Sequence, residues 1–343
     1  MPGDPSAPSR ALKNAPRFSA LPASSPESAA GKAGELAEGR VPQQPAERTI
    51  DVDASVRLDA FVHAALVPTS RRLVHALIAE GAVRVNGRRV AKGFRLRPGD
   101  RVTMPALPPG IVPEPGLTLP VVHEDDTLVV VEKPGGMPSH ALDPRERGSA
   151  AAFLVARYPE MAGVGDPLAP GLVHRLDTGT SGLLVAARTA RAHAALRDAL
   201  RRHVVEKRYL AVVAGRADRL ARHRVDARLA HDPGDRRRMT TATAGRRAWP
   251  AATWLEVVTV AGDRSLVQAT IRTGVTHQIR AHLAHLGHPV LGDVIYGGAS
   301  TDLAPGRHAL HAAALALPHP VERRTLRLEA ALPRDLRALI DPA

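Results

Sequence analysis

Stretches in which apolar residues recur at regular intervals alternate along this chain with stretches in which they are rare. Residues 1–48 are dominated by Pro, Ala, Ser, Gly and charged side chains, and this composition predicts a disordered tail. A periodic pattern over 49–104 predicts a compact module. Residues 105–120 carry six prolines and two glycines, which is typical of a linker. Residues 121–343 are long enough to form a second domain with its own core.

Within the module, the apolar spacing predicts two helices followed by a β-hairpin. The first helix covers 57–66, and the second begins after Ser70 and ends at Gly81. Asn86–Gly87 is the dipeptide favoured in a two-residue hairpin turn, and the return strand is expected to resume at Val90.

The second domain alternates strand patterns with two helical ones. The strand patterns lie at 127–131, 183–187, 209–214, 252–260, 265–272 and 325–330, and the helical patterns lie at 190–201 and 276–286. Leu172 and Val173 also predict a short buried strand. The irregular alternation predicts an α+β fold on a mixed, largely antiparallel sheet.

Charge indicates the chemical class of the partner. The formal net charge is +13, and arginine supplies most of the positive side chains because only five are lysines. Such a balance favours a polyanion, and a guanidinium group suits phosphates and stacked bases better than an ammonium group does. Nucleic acid is therefore the expected partner, although a GC-rich genome would also enrich Ala and Arg.

Several classes of protein are excluded by what the chain lacks. It contains no cysteine, which excludes a disulfide scaffold, a thiolate nucleophile and a cysteine-ligated zinc site. No stretch approaches the roughly 20 apolar residues of a membrane-spanning helix, and the N-terminus lacks the apolar core of a secretory signal. These features predict a cytoplasmic protein with no membrane partner, and no protein partner is implied.

The polar positions of the module are strongly basic. Eight basic residues occupy them: Arg71, Arg72, Arg84, Arg88, Arg89, Lys92, Arg95 and Arg97. A solvated surface usually mixes signs, so this pattern predicts a phosphate-binding surface on which Arg71, Arg72, Arg88 and Arg89 contact RNA.

A loop with reactive side chains interrupts an apolar segment of the second domain. His174, Arg175 and Asp177 precede the turn-forming residues Thr-Gly-Thr-Ser-Gly. A carboxylate beside a guanidinium group stays ionised in a cleft and can act as a nucleophile or a base. Aspartate is also a common turn-capping residue, so the loop by itself leaves both roles open.

The loop sequence His-Arg-Leu-Asp followed by Thr-Gly-Thr-Ser-Gly resembles the signature of the RluA family of RNA pseudouridine synthases. Four further segments match that family in the same order: Val129–His140 is similar to its NKPAGLVVH segment, Val205–Val212 to its K-x-Y-x-A strand, Thr273–Asp293 to its TGRTHQIR, GHP and GD motifs, and His308–Pro320 to its closing LHA and PHP pattern. The five segments cover about residues 120 to 320, and together they are highly specific.

The resemblance extends to the domain order. Residues 57–104 resemble the alpha-L RNA-binding module of a small-subunit ribosomal protein and of tyrosyl-tRNA synthetases, which often precedes the catalytic domain in this family. The implied architecture is a small α/β RNA-binding module followed by a mixed, largely antiparallel-sheet catalytic domain of pseudouridine synthase type. Large-subunit ribosomal RNA is the expected target by analogy, and transfer RNA remains open.

The resemblance also implies roles for particular residues. Asp177 is expected to be the nucleophile or base that acts on a flipped-out uridine, Tyr209 to line the pocket or serve as a general base, and Arg280 to pair with Asp177. The remaining candidates for contact with the RNA or the base are His174, Arg175, Lys207, Thr276 and His277. The isomerisation involves no net redox change, so no cofactor is expected.

Other interpretations remain open. Val275 stands where the family usually has a basic or polar residue, which puts RNA contacts in doubt more than chemistry. His277, His282, His285 and His288 suggest a metal-dependent phosphoesterase, but no acid with ligand-like spacing joins them, so no metal is expected. A non-catalytic RNA-binding or ribosome-assembly factor explains the charge equally well. It does not explain an acid, a tyrosine and an arginine at motif positions.

Overall fold

A computed structural model describes residues 47–66, 69–220, 223–242, 247–299 and 301–341. The predicted disordered tail therefore lies outside the described residues, apart from Glu47 and Arg48, which begin the first strand instead. Among the described residues, no helix combines the length and apolar character needed to cross a membrane.

Strands dominate the described part of the chain. The strands are β1 (Glu47–Asp51), β2 (Arg84–Val85), β3 (Arg101–Pro105), β4 (Val121–Glu124), β5 (Leu128–Lys133), β6 (Gly165–Asp166), β7 (Ala169–Pro170), β8 (Ser181–Ala187), β9 (Glu206–Ala214), β10 (His223–Asp226), β11 (Leu229–His231), β12 (Met239–Thr241), β13 (Ala252–Ala261), β14 (Arg264–Ile271), β15 (Leu310–Pro318) and β16 (Thr325–Glu329). The α-helices are α1 (Leu58–Ala65), α2 (Arg71–Glu80), α3 (Ala150–Arg157), α4 (Ala190–Arg201), α5 (Gln278–His285) and α6 (Arg334–Arg337).

The N-terminal module packs α1 and α2 against a small antiparallel sheet of order β1-β3-β2. Helix α2 begins as predicted because the Ser70 hydroxyl accepts a hydrogen bond from the Leu73 N–H at 3.1 Å. It ends at Gly81, which takes the left-handed conformation. The apolar faces of both helices and alternate residues of β3, such as Val102 and Met104, form one buried cluster.

The predicted hairpin of the module is only partly present. Asn86 and Gly87 take positive φ values of 49° and 75°, and Val85 and Arg88 exchange two backbone hydrogen bonds of 2.9 Å across them. The prediction of a return strand at Val90 is wrong, because β2 pairs with β3 instead. Strand β3 supplies the alternating buried side chains that the exposed segment after Val90 lacks.

Residues 106–120 contain no helix or strand, as their prolines predict. The segment is nevertheless packed, because Ile111 and Leu119 belong to the main apolar cluster of the larger domain. The Ile111 N–H also donates to the Pro167 carbonyl at 2.8 Å. The segment therefore lies along the surface of that domain.

The larger domain is built on a nine-stranded sheet of order β10-β13-β14-β9-β15-β8-β5-β4, with β16 paired to β15. Its strand pairs are antiparallel except for β15 with β8. The predicted α+β architecture with a mixed, largely antiparallel sheet is thus confirmed.

Helices cover both faces of this sheet. Side chains alternate along the central strands, so that Leu184 and Ala186 of β8 join one buried cluster while Leu183 and Val185 join another. Helices α3 and α5 pack into the first cluster, and α4 packs into the second. The central strands are therefore buried on both sides, which makes them a rigid support for the loops at their ends.

Most of the predicted elements of this domain are present. Helix α4 has the predicted bounds, and β5, β8, β9, β13, β14, β16 and α5 start and end within three residues of theirs. Among the elements of eight or more residues, the prediction omits α3 and β15, and it also omits most of the shorter ones. The predicted strand at Leu172 and Val173 is absent. Leu172 forms only an isolated bridge, and the Val173 carbonyl accepts a hydrogen bond from the Arg197 side chain rather than from a neighbouring strand.

Candidate active site

The loop that carries Asp177 is fixed on both sides of that residue. The Thr180 N–H donates to the Asp177 carbonyl at 3.0 Å and closes a tight turn. The buried Ser139 hydroxyl accepts from the Leu176 N–H at 3.0 Å and donates to the Leu176 carbonyl at 2.8 Å. The backbone therefore holds the aspartate in one position before any ligand binds.

Arg307 supports the same loop from the segment that precedes β15. Its side chain is buried, with Nη1 donating to the Gly179 carbonyl at 2.7 Å and Nη2 to Ser181 Oγ at 2.9 Å. Gly179 has no room for a side chain, because a Cβ there would lie 2.5 Å from the Gly306 carbonyl oxygen. The glycine of the Thr-Gly-Thr turn thus allows two loops to pack closely.

Lys133 connects the end of β5 to the aspartate loop. The side chain is fully buried, and Nζ donates to the carbonyls of Met137 at 2.8 Å and Thr178 at 3.3 Å. Burial, reinforced by the Arg307 charge and opposed by Asp177, lowers the pKa of Lys133 to about 7. These hydrogen bonds to backbone carbonyls hold the aspartate loop in place.

Helix α5 places Arg280 between two carboxylates. Nη1 of Arg280 lies 2.7 Å from Asp177 Oδ2, while Nε and Nη2 donate to the two oxygens of Asp293 at 2.6 and 2.8 Å. The side chains of Arg280 and Asp293 are 5% and 1% exposed. The fork to Asp293 fixes the guanidinium plane, and the remaining nitrogen orients the Asp177 carboxylate.

His277 lies beside the same carboxylate at the start of α5. Its backbone takes φ 56°, a left-handed conformation that is uncommon for a residue with a side chain. Nε2 lies 3.8 Å from Asp177 Oδ2, and Nδ1 lies 3.2 Å from the Tyr296 hydroxyl. That hydroxyl also accepts from the Met239 N–H at 2.8 Å, so the imidazole orientation is tied to β12.

The charges around the cleft determine which side chains are ionised. Burial opposes ionisation of Asp177, but the charges of His277 and Arg280 outweigh it and hold the pKa of that carboxyl below its usual value. Burial and then the Asp177 charge raise the pKa of the Tyr209 phenol far above its usual value. At neutral pH the site therefore combines a carboxylate with a protonated phenol.

These side chains line a cavity of about 350 Å³, within the range of small-ligand sites. Asp177 is the only acidic residue among the described residues that line it. The basic side chains of the lining are Arg175, Arg197, Arg201, Lys207, Arg272 and Arg280. Such a cavity suits a polar ring attached to an anionic backbone.

All eight candidates predicted for the second domain line this cavity: His174, Arg175, Asp177, Lys207, Tyr209, Thr276, His277 and Arg280. Their surroundings differ. His174 Nε2 accepts from the Val185 N–H at 3.0 Å, and burial followed by the Lys207 charge lowers the pKa of His174 to about 3. Lys207 donates to the Thr273 carbonyl at 2.9 Å, and burial lowers its pKa to about 8.

The four predicted arginines of the module lie outside this cavity. Arg71 and Arg72 begin α2, and Arg88 and Arg89 follow the turn after β2. The eight basic residues predicted to form the phosphate-binding surface are all exposed, and none of them forms an ion pair with a described carboxylate, whereas Arg57 and Arg101 of the same module pair with Asp59 and Asp51. They form a separate cationic surface.

Val275, where a basic or polar residue was expected, packs against the protein. It contacts the cluster formed by Leu229, Met239, Ala281 and Tyr296. Its side chain therefore helps to hold the β11–β12 hairpin against α5.

His282 of α5 and His288, just after it, have structural partners. His282 is buried, with Nδ1 at 2.8 Å from Thr253 Oγ1 and Nε2 at 2.9 Å from the Ala227 carbonyl. His288 Nδ1 lies 3.0 Å from the Ala214 carbonyl. These rings are engaged by protein atoms and do not converge with His277.

A different group, His123, Asp125 and His319, brings three potential metal-ligating atoms within 4.8 Å of one another. His319 Nδ1 accepts from the Glu322 N–H at 2.9 Å, so Nε2 carries the proton and donates to Asp125 Oδ2 at 3.0 Å. That tautomer leaves His319 without a lone pair for a metal. The group instead ties the end of β15 to the β4–β5 turn.

Sequence reasoning missed the residues that support the site: Lys133, Ser139, Asp293, Tyr296 and Arg307. Lys133, Ser139 and Asp293 lie inside matched motifs, so the motifs gave their positions but not their partners. Arg307 acts on residues more than a hundred positions away, and no local pattern indicates such a contact.

Comparisons with known proteins agree along the chain. Residues 127–285 match the RNA pseudouridylate synthase family, and residues 56–102 match the S4 domain. The chain is 40% identical over 307 residues to an uncharacterized RNA pseudouridine synthase of Chloroflexus aurantiacus, covering 89% of this chain and 93% of that protein. It is 35% identical to the ribosomal large subunit pseudouridine synthase D of Zymomonas mobilis, covering 82% and 92%. A solved structure, human RNA pseudouridylate synthase domain containing 4, aligns with a TM-score of 0.50 and 26% identity over 64% of this chain and 90% of that chain.

Proposed function

This chain belongs to the RNA pseudouridine synthase family, and from that premise we propose that Asp177 is the carboxylate that acts on a uridine of large-subunit ribosomal RNA. The enzyme is an isomerase with an RNA substrate and an N-terminal S4 domain. Because Asp177 lines the cavity of the larger domain, we assign the chemistry to that domain and the capture of RNA phosphates to the S4 domain.

The reaction rearranges one nucleoside without any net gain or loss of atoms. The bond between ribose C1′ and uracil N1 breaks, the ring turns, and a bond forms between C1′ and C5. The C5 proton leaves and N1 regains a proton, so no redox partner is required. The target nucleotide must leave the RNA stack to reach a pocket, which costs a few kcal/mol.

One observation carries the assignment of Asp177. It is the only acid among the described residues that line the 350 Å³ cavity, and Arg280 holds it at 2.7 Å while Ser139 and Thr180 fix its backbone. An ionised carboxylate can attack C1′, add to the uracil ring or remove the C2′ proton. All three routes require the charged form that this environment favours.

Tyr209 and Lys207 complete the pocket. The raised pKa keeps the Tyr209 phenol protonated, so we assign it to packing against the base and to hydrogen-bond donation rather than to proton abstraction. Lys207 Nζ is anchored on the Thr273 carbonyl and offers its remaining hydrogens to the cavity.

Two features support ribosomal RNA as the substrate. Relatives that match more than four-fifths of this chain are named for the large ribosomal subunit. The exposed cationic surface of the S4 domain lies away from the cavity, and its basic side chains can bind phosphates. A large folded RNA can reach this surface and the cavity at the same time.

Replacing Asp177 by Asn tests the assignment with little change in shape. Total RNA from cells that lack the gene, complemented with wild type or Asp177→Asn, is treated with a uridine-specific adduct reagent and mapped by reverse-transcription stops. We expect a large-subunit stop that disappears in the deletion and returns with wild type only. Asp263→Asn, at a side chain that is 93% exposed, is the matched control and should restore the stop. A stop restored by Asp177→Asn would refute the assignment, and a stop in transfer RNA would correct the substrate.

A further inference from the structure

This chain has two tryptophans, and both lie on the surface. Trp249 is 40% exposed and Trp254 is 41% exposed, although only 3% of the residues are Phe, Trp or Tyr. An indole ring is a large apolar group that is highly buried on average. The partner of each exposed ring therefore has to be identified separately.

Trp249 is attached to the framework of the active site. Trp249 and Leu229 of β11 exchange two backbone hydrogen bonds of 2.8 and 3.0 Å. Leu229 is fully buried in the cluster that contains Tyr296, whose hydroxyl contacts His277. The backbone that carries the indole is therefore held in register with the residues around Asp177.

A second concavity, of about 470 Å³, lies at this indole and is lined by Ala230, His231, Arg247 and Trp249. The rings of His231 and Trp249 meet at 89° with centroids 5.7 Å apart, so the contact is edge-on rather than stacked. An indole face, an imidazole and a guanidinium group together match an unpaired nucleotide, because the base can stack while its phosphate meets a positive charge.

The other exposed tryptophan is engaged within the protein. The Arg224 guanidinium carbon lies 5.2 Å from the centre of the Trp254 ring, and the same side chain pairs with Asp226 at 2.6 Å. Trp254 therefore offers a control of nearly equal exposure.

We propose that Trp249, His231 and Arg247 bind an unpaired nucleotide of the RNA other than the target uridine. The base stacks on Trp249 and the phosphate faces Arg247. The inference rests on the proposed function only in that RNA is the substrate. The formal charge of +13 and the guanidinium in the lining favour a nucleotide over an apolar ligand. A site fixed relative to the catalytic cavity would favour RNAs that carry an unpaired base at a matching distance from the target.

Intrinsic fluorescence isolates this site because the chain has two indoles. Trp254→Phe leaves Trp249 as the reporter, and Trp249→Phe leaves Trp254. The probe is a short single-stranded oligoadenylate, which contains no uridine to isomerise. We expect saturable quenching of Trp249 and no quenching of Trp254, with much weaker quenching by a fully paired RNA duplex. Equal responses of both reporters, or no response of Trp249 where filter retention shows saturation, would overturn the proposal.

Kinetics on ribosomal RNA provide the second readout. Trp249→Leu, which keeps an apolar side chain but no ring, should raise KM about tenfold and leave kcat unchanged, while Trp249→Phe should stay within about twofold of wild type. An unchanged KM in a folded Trp249→Leu protein would also overturn the proposal. Failure here is separable from failure of the Asp177 assignment, because Asp177→Asn should lose isomerisation and keep the Trp249 quenching.

Discussion

The arginines of the S4 domain and of the active site lie in opposite environments. Arg71, Arg72, Arg88 and Arg89 are exposed and pair with no described carboxylate, whereas Arg280 is 5% exposed and contacts two carboxylates at 2.6 to 2.8 Å. An exposed guanidinium can exchange its counterions for phosphates. A buried one whose three nitrogens are all engaged cannot bind RNA and instead holds acids in place. We therefore propose that the same residue type attracts RNA in one region and orients the Asp177 carboxylate in the other.

Replacing the buried arginine should have the largest effect on stability and activity. Arg280→Gln leaves the Asp177 and Asp293 carboxylates without their shared partner in a buried site. We expect a loss of about 3 to 5 kcal/mol in the free energy of unfolding and a fall in kcat of about a hundredfold or more. Urea denaturation and a pseudouridine assay at matched folded fractions measure the two effects.

The conservative variant separates charge from geometry. Arg280→Lys keeps the charge but cannot form the fork, so it should recover part of the stability and little of the activity. Full activity in Arg280→Lys would contradict the role of the fork in orienting Asp177.

Neutralising the exposed arginines should have a smaller and different effect. With Arg71, Arg72, Arg88 and Arg89 replaced by Gln, we expect RNA affinity to fall and the slope of log K against log salt to flatten by about 0.7 to 0.9 for each phosphate that the protein no longer binds. The kcat should be unchanged, and each substitution should alter stability by less than about 0.5 kcal/mol. An unchanged salt slope in filter-binding titrations would mean that this surface does not dock on phosphates.

Replacing His277, which lies beside the same carboxylate as Arg280, should have the smallest effect on activity. His277→Asn removes one of the three charges that lower the pKa of Asp177, the others being Arg280 and His308, while asparagine tolerates the left-handed backbone at this position. With Asp177 acting as a carboxylate, as we propose, the acid limb of the profile of kcat/KM against pH should move to higher pH.

Tyr296→Phe is the control for this variant, because it removes the hydroxyl that orients His277 and leaves the imidazole in place. It should move the acid limb less than His277→Asn does. An unmoved limb in His277→Asn would show that Arg280 and His308 keep Asp177 ionised without His277.

Elements with one buried face and one exposed face could be predicted from the spacing of their apolar residues. Helix α4 has buried Ala192, Leu196 and Ala199 on one face and polar residues on the other, so its bounds were predicted. Helix α3 is buried at six of its eight positions, and a segment that is apolar all round has no period to detect. Strand β15 is rich in alanine, a helix former, and its position between β8 and β9 overrides that propensity.

The candidate site could also be predicted only in part. The sequence motifs named the residues that line the cavity, because those residues lie within short, distinctive segments. Interactions that depend on tertiary packing were missed, such as Arg307 on Gly179 and Asp293 on Arg280. The catalytic roles themselves stay predictions until the substitutions are measured.

The place of β15 in the sheet also determines when the protein can finish folding during its synthesis. Strand β15 lies between β8 and β9, but residues 215–309 separate it from β9 along the chain. At about 5 to 20 residues per second, a ribosome needs roughly 5 to 20 seconds to translate that stretch. Throughout this interval β8 and β9 each present an unpaired edge that other nascent chains can bind. Efficient production of this enzyme therefore depends on protecting those two edges until the late strand arrives.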